Sequence, residues 1–142
     1  MTDMSSKENS PKLDTTVIGS ANSINEGGKG LRFTVRSLTP RPGLEEELIP
    51  AFVIKYDTGF HAYLNRCGHI AVQLDFMPGE FFTDDGNTLM CATHGAEYAP
   101  DTGACLGGPC FGIGLEPLDT QVIDDEIVLN DSRYVVVQLA AE

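Results

Sequence analysis

Short apolar runs alternate with polar residues along this chain, and glycine, proline, asparagine and aspartate separate them. Leu31–Ser37 alternates apolar and polar side chains, which is the period of a half-buried strand. Residues 51–56 and 60–65 flank Asp57-Thr58-Gly59, so we predict a hairpin with a three-residue loop. The same pattern predicts further short strands at residues 88–90, 115–118, 121–123, Glu126–Leu129 and Tyr134–Leu139.

These strands and the turns between them favour an all-β fold, an antiparallel base domain that carries a smaller inserted subdomain. Residues 1–26 are polar and lack periodicity, so we expect a flexible N-terminal tail over residues 1–28, with residues 15–18 as a candidate edge strand. The domain then covers residues 29–142. Residues 40–43 predict a turn, and the acidic run 45–47 after it predicts a solvated turn.

The net charge of −12 is unevenly distributed. Residues 1–74 hold eight basic and eight acidic side chains, whereas residues 75–142 hold Arg133 against thirteen acids. An acidic half disfavours nucleic acid and anionic membranes, because both require neutralisation of phosphates. It suits a basic protein partner, although solubility alone explains it equally well.

The sequence favours a cytoplasmic protein. It has no apolar stretch of membrane-spanning length, and residues 1–11 are polar, without the apolar core of a signal peptide. In that compartment we expect the four cysteines to be ligands or free thiols and not disulfides.

Two cysteines and two histidines form a split motif. Cys67-Gly68-His69 is separated by 21 residues from Cys91-Ala92-Thr93-His94. Two Cys and two His form an ordinary zinc set, but zinc modules usually pair like with like. Each half here mixes one thiol with one imidazole, which suits a two-iron cluster reached by both loops.

The stretch from Cys67 to Pro109 resembles the cluster-binding region of Rieske iron–sulfur proteins, in which two His replace two Cys on one iron of a [2Fe-2S] cluster. The resemblance implies a Rieske fold with its cluster-binding region at residues 65–112. Cys67 and Cys91 would hold the inner iron, and His69 and His94 the outer one. Gly107-Gly108-Pro109 matches the family's loop over a third side of the cluster. Gly95 matches the family's glycine at a position where a side chain would crowd the cluster.

The chain also departs from the family. The gap between the halves is long, with residues 76–86 as the extra material, and Val72 and Thr93 replace the cysteines that brace the loops of high-potential members. Ala96 replaces a serine that donates to the cluster, whereas Tyr98 keeps the matching tyrosine. We therefore expect a potential in the lower half of the family range of about −150 to +300 mV.

Several residues stay open at this stage. Cys105 and Cys110 are interpreted either as small buried side chains or as a redox-active pair. His61 lies in a predicted strand and is not expected to be a ligand. Ile70, Ala71 and Phe111 suit either an apolar docking rim or ordinary packing.

A Rieske oxygenase needs a second iron held by two His and one carboxylate, and only three His are present. We therefore expect an electron carrier and not an enzyme, resembling stand-alone Rieske-type ferredoxins. Its partners would be a basic-surfaced reductase, a terminal oxygenase, or both. A small non-catalytic subunit of a nitrite-reductase-like complex and a redox sensor are the alternatives.

Overall fold

A computed structural model describes residues 12–39, 48–66, 74–75, 79–83, 85–91, 95–108 and 113–139. Within them the chain forms twelve strands and one short 3₁₀ turn at Ala21–Ser23. The strands are β1 (Lys12–Thr15), β2 (Val17–Ser20), β3 (Leu31–Ser37), β4 (Ile49–Tyr56), β5 (Gly59–Leu64), β6 (Leu89–Met90), β7 (Glu97–Tyr98), β8 (Cys105–Gly107), β9 (Pro117–Leu118), β10 (Thr120–Ile123), β11 (Glu126–Leu129) and β12 (Tyr134–Leu139).

The described strands form three sheets. The main sheet has the order β1-β12-β3-β4-β5-β9, a small sheet has the order β10-β11-β2, and a third sheet, here called the loop sheet, has the order β6-β7-β8. Every pair of neighbouring strands is antiparallel. The prediction of an all-β, antiparallel base with a smaller inserted unit is confirmed.

Strands β3, β11 and β12 have the bounds expected from the sequence. The hairpin between β4 and β5 differs, because its turn consists of Asp57 and Thr58 alone and Gly59 already belongs to β5. Both turn residues have positive φ, 53° and 65°, as a type I′ turn requires. The carboxylate of Glu26 accepts the main-chain N–H groups of both turn residues.

Part of the segment expected to be a flexible tail pairs with the sheets, at Lys12–Thr15 and Val17–Ser20, and the candidate edge strand at residues 15–18 overlaps both of these strands. Strand β1 pairs with β12, and β2 pairs with β11. Main-chain hydrogen bonds to distant strand edges supply the order, so the short polar segment needs no apolar periodicity of its own. Residues 40–47, with the predicted turn and the acidic run, lie outside the described part of the chain.

Strand β4 is buried on both faces and separates two hydrophobic clusters. Its Phe52 and Ile54 enter the first cluster, which lies toward the loop sheet. Its Ala51 and Val53 enter the second cluster, which lies toward the small sheet and includes Ile127. This position explains why residues 49–54 form a nearly continuous apolar run.

The extra material between the two halves of the motif is anchored in the core. The ring of Phe81 stacks on Phe52 of β4, with centroids 3.9 Å apart and planes at 13°. Phe82 bridges Leu89, and the main-chain N–H of Met90 donates to the Phe81 carbonyl at 2.9 Å. The insertion therefore joins the main sheet to the loop sheet. No helix in the described residues is long and apolar enough to cross a membrane.

Candidate metal centre

The two ends of the first candidate loop (residues 66–73) are tied together at Asn65. Asn65 ends the β5 run, and its side-chain Oδ1 accepts the main-chain N–H of Leu74 at 2.8 Å. Its Nδ2 donates to Asp75 Oδ1 at 3.1 Å, and its own N–H donates to the Pro50 carbonyl at 2.8 Å. The loop that carries Cys67 and His69 therefore leaves and re-enters the described structure at one buried side chain.

Asp75 continues this network. Its side chain is 0% exposed, and its Oδ2 accepts the main-chain N–H of Gly79 at 2.9 Å. Arg32 Nε, on β3, lies 3.4 Å from the same oxygen, and the Arg32 side chain is 43% exposed. A buried carboxylate is stable only with such donors, and here a cation from the main sheet supplies one of them.

Main-chain hydrogen bonds join the two ends of the second candidate loop (residues 91–95). The N–H of Gly95 donates to the Cys91 carbonyl at 2.7 Å, and the N–H of Cys91 donates to the Ala96 carbonyl at 2.8 Å. Gly95 has φ +77°, a conformation that side chains disfavour. A Cβ on Gly95 would meet no described atom within 4 Å, so the described structure requires glycine there for its backbone.

The strand β8 leads into Gly108, which packs on the second candidate loop. Gly108 has φ +80°, and a Cβ built on it would lie 2.9 Å from both Ala96 Cα and the Gly95 carbonyl oxygen. A Cβ on the neighbouring Gly107 would meet nothing within 4 Å. The glycine–proline segment is therefore in close main-chain contact with the turn that holds Cys91.

The residue that follows the first candidate loop and the residue that begins the second meet in the first hydrophobic cluster. These residues, Leu74 and Cys91, are both fully buried there, together with Ala96 and Tyr98. The Cys91 thiol is 0% exposed and is not in a disulfide. Tyr98 pairs with Cys105 across β7 and β8, which places the expected cluster-side tyrosine in the same apolar environment as the Cys91 thiol.

The other residues expected at the centre, Cys67, His69, His94 and Pro109, lie outside the described residues, as do Cys110, Val72, Thr93, Ile70, Ala71 and Phe111. Among the described residues, no group of three Cys, His, Asp or Glu could hold a metal ion. The structure thus describes the supports of the candidate centre and one of its four expected ligands. His61 lies in β5, where it lines a shallow pocket of about 260 Å³ with Asp101 and Asp119.

The expectation that the cysteines are free was wrong for Cys105, which is disulfide-bonded and half-buried. Cys91 is not in a disulfide, so the partner of Cys105 lies outside the described residues. Cys105 follows the turn 101–103, where the Gly103 N–H donates to the Ala99 carbonyl at 2.7 Å.

A buried tyrosine supports this downstream turn from the main sheet. The hydroxyl of Tyr63 on β5 donates to the Pro100 carbonyl at 2.7 Å. Burial, and next the charge of Asp101, hold the pKa of Tyr63 above its ordinary value. The hydroxyl therefore stays protonated and remains a hydrogen-bond donor.

Sequence reasoning missed Asn65, Asp75 and Arg32. The signal available was a polar residue at the end of an apolar strand, two positions before Cys67, and an aspartate directly after Leu74. Neither pattern indicates that the side chains of Asn65 and Asp75 are in contact, because the two residues are ten positions apart in the sequence.

Donor chemistry agrees with the group implied by the motif. Cys91 presents a buried thiol, His94 follows it by three positions in the sequence, and thiolate and imidazole are the ligands of a Rieske centre. The sequence profile of the Rieske [2Fe-2S] domain matches residues 34–123, more than half of the chain. The chain therefore belongs to the Rieske [2Fe-2S] domain family, whose cofactor is a [2Fe-2S] cluster.

Solved structures of Rieske proteins share this fold. The Sphingomonas yanoikuyae B1 ferredoxin matches with a TM-score of 0.57 and 18% identity, over 82% of this chain and 97% of its own. The ferredoxin of carbazole 1,9a-dioxygenase from Nocardioides aromaticivorans IC177 gives 0.57 and 18%, over 84% and 98%. A quaternary ammonium Rieske monooxygenase gives 0.56 and 14%, over 84% of this chain but 32% of its own. A comparison with curated proteins found no match.

Proposed function

We propose that this protein is a one-electron carrier of an oxygenase-type redox system. It holds a Rieske-type [2Fe-2S] cluster on Cys67, His69, Cys91 and His94. Gly95, Tyr98, Gly108 and Pro109 surround the cluster. When bound, the cluster supplies a single reversible electron.

The observation that carries this proposal is the fully buried thiol of Cys91, which is not in a disulfide and begins the Cys-x-x-His half of the motif. This half of the motif lies inside the segment that matches the family profile. The structural similarity to two ferredoxins supports the role of a carrier.

The protein's own residues do three things in this function. Cys91 offers its thiolate from an apolar cluster that keeps water from the inner side of the site. Main-chain hydrogen bonds hold together the two ends of the second loop, Cys91 and Gly95. Gly108 lets the glycine–proline segment approach that loop at main-chain distance.

The test is the absorption and low-temperature EPR spectrum of protein purified anaerobically, with its iron, sulfide and zinc contents. We expect two irons and two sulfides per chain in the wild type. Loss of both is expected in Cys91→Ser, whereas His61→Gln, a change of the remaining histidine, keeps them. A colourless, folded protein that holds zinc alone would contradict the proposal.

For the partner we propose a basic surface on a reductase or a terminal oxygenase. One similar structure is a complex of reduced oxygenase and oxidized ferredoxin in carbazole 1,9a-dioxygenase. It matches with a TM-score of 0.53 and 20% identity, over 80% of this chain and 98% of the matched chain. Residues 75–142 carry thirteen acids and one arginine, so salt should screen the encounter with a basic partner.

Stopped-flow electron transfer to a basic c-type cytochrome tests the role of charge. We expect the second-order rate to fall steeply with ionic strength, and an acidic acceptor of similar potential to show the opposite trend. Equal salt dependence for both acceptors would contradict a role for the acidic half in docking.

We propose the cytoplasm as the location. Disulfides are rare in the reducing cytosol, and Cys105 is disulfide-bonded, so the location is tested directly by fractionation of cells that express the protein. We expect the protein in the fraction that contains a cytoplasmic marker enzyme. Its recovery in an extracytoplasmic fraction would contradict the location.

A further inference from the structure

The first candidate loop rests on a buried charged network that the family motif does not include. The network consists of Asn65, Asp75 and Arg32, hereafter the stem network. Asn65 closes the loop through Leu74 and holds Asp75, while Arg32 reaches the same carboxylate from β3. Each contact is made between described residues.

Asp75 is held by groups from three separate segments. The Asn65 amide donates to its Oδ1, the Gly79 N–H donates to its Oδ2, and the Arg32 guanidinium lies 3.4 Å from Oδ2 as an ion pair. The carboxylate is fully buried, whereas Arg32 is nearly half exposed. Solvent therefore screens the positive partner more than the negative one.

Asp75 follows directly on Leu74, which packs in the same buried cluster as the Cys91 thiol. A fixed negative charge in this apolar region disfavours the addition of an electron nearby, because the low dielectric constant lengthens the reach of the charge. The cation on Arg32 offsets part of this effect.

We propose that the stem network is a positioning and potential-setting device for the centre. Asn65 fixes the loop that presents Cys67 and His69, and Asp75 lowers the reduction potential through its charge. Arg32 limits that lowering. The inference rests on the proposed function, since it concerns the cluster that the two loops hold.

The charge role makes a signed prediction. Asp75→Asn should raise the equilibrium constant for reduction by about tenfold, which is 59 mV for one electron. Arg32→Gln should lower the same constant by a smaller factor, because it leaves Asp75 ionised with less compensation. A purely structural role would not give opposite signs to the two variants.

Arg36→Gln is the matched control. Arg36 lies on the same strand, four residues and about 13 Å from Arg32, and pairs with Val135 instead of Phe52. It changes the net charge by the same unit. We expect its potential to stay within a third of the Arg32→Gln shift.

The experiment is potentiometric titration followed by EPR for the wild type and these three variants, with denaturant unfolding of each apo-protein. Opposite shifts in Asp75→Asn and Arg32→Gln support the proposal. If Asp75→Asn does not retain the cluster, the difference between Arg32→Gln and Arg36→Gln decides alone, because Arg32→Gln keeps the contacts of Asn65 and Gly79 with Asp75. Equal potentials in the two arginine variants, or a higher one in Arg32→Gln, would overturn it.

The positioning role of Asn65 has its own readout. Asn65→Ala should lower the iron content of the purified protein severalfold and broaden the EPR signal, because the Leu74 N–H loses its acceptor. Full iron content with an unchanged signal would remove that role. A wild-type protein without any iron–sulfur spectrum would instead refute the proposed function, and the inference with it.

Discussion

Gly108 lies so close to Ala96 that a single methyl group does not fit between them. The Cβ of an alanine at residue 108 would come within 2.9 Å of the Ala96 Cα. The Ala96 Cα and the Gly95 carbonyl oxygen, which is at the same distance, are both main-chain atoms, so no side-chain rotation relieves the contact. Gly108 is therefore packed directly on the main chain of Gly95 and Ala96.

We predict that Gly108→Ala destabilises the protein and reduces its iron content. The change combines a main-chain clash with a positive φ of +80°. Overpacking costs about 1–3 kcal/mol, and left-handed backbone costs an L-residue about 1–2 kcal/mol more. Denaturant unfolding of the apo-protein and iron analysis of the purified protein measure the two effects.

Gly107→Ala is the control, because a Cβ at residue 107 meets nothing within 4 Å. It should change the free energy of unfolding by less than about 0.5 kcal/mol. Equal effects in the two variants would mean that close contact at Gly108 does not hold the segment.

Tyr98→Phe should lower the midpoint potential of the cluster by tens of millivolts. The Tyr98 side chain is fully buried in the first hydrophobic cluster, which also contains Cys91. A hydrogen bond to a charged acceptor is worth on the order of 1–3 kcal/mol, and a donor to cluster sulfur favours the reduced form. Protein-film voltammetry measures the shift.

The matched control is Tyr63→Phe, which removes another buried hydroxyl. Tyr63 donates to the Pro100 carbonyl, so its loss should cost about 1 kcal/mol of stability and leave the potential unchanged. An unchanged potential in Tyr98→Phe would show that the Tyr98 hydroxyl does not act on the cluster.

The sequence predicted the central strands well because their periodicity is set by burial. Strand β3 has one face that is partly buried. Strand β4 is apolar on both faces because the two hydrophobic clusters enclose it. β7 and β8 were missed, since strands of two and three residues carry no period. Strands β1 and β2 lie in the segment that the sequence predicts to be a tail. The strands that pair with them, β12 and β11, are far away in the sequence, so no local pattern indicates the pairing.

The candidate site shows the same division. Its four proposed ligands follow a spacing that is visible in one line of sequence, and this spacing is the basis of their prediction. The stem network could not, because Asn65 and Asp75 are ordinary polar residues until the fold brings them to 3.1 Å. The expected role of Gly95 was crowding at the cluster, whereas the described structure shows a positive φ as its requirement.

Thr58→Gly should stabilise the protein by about 1 kcal/mol. Thr58 is β-branched and has φ +65° in the hairpin turn, a conformation that glycine adopts without steric cost. The bonds from the turn to the Glu26 carboxylate use main-chain N–H groups, so the substitution keeps them. Thermal unfolding measures the gain.

Glu26→Gln is the companion variant. It leaves one acceptor oxygen for the two turn N–H groups, which donate to different oxygens of the Glu26 carboxylate, and should lower stability by about 1 kcal/mol. A fall in stability for Thr58→Gly would show that the turn is not strained at that residue.

Asp131 should be a main source of acid sensitivity. Its side chain is 3% exposed, and its Oδ1 accepts the Arg133 N–H at 3.0 Å and Nε at 2.9 Å. Its Oδ2 accepts Asp119 N–H at 3.1 Å and Arg133 Nη2 at 2.8 Å. Hydrogen bonding from Arg133 is the largest cause that lowers the pKa of Asp131 from 3.8 to about 2.

Because the folded-state pKa lies below the unfolded one, this group stabilises the protein above pH 3.8. The contribution is lost as the pH falls from 3.8 toward 2. Asp131→Asn should lower stability at pH 7 by about 1–2 kcal/mol and flatten the loss below pH 4. Asp85→Asn is the control. The Thr83 hydroxyl lowers the pKa of the Asp85 carboxyl, but Asp85 is fully exposed. Its removal should therefore leave the steep loss of stability at acid pH (the acid limb) unchanged. Parallel acid limbs for the wild type and Asp131→Asn, measured by urea unfolding from pH 7 to pH 2, would contradict the assignment.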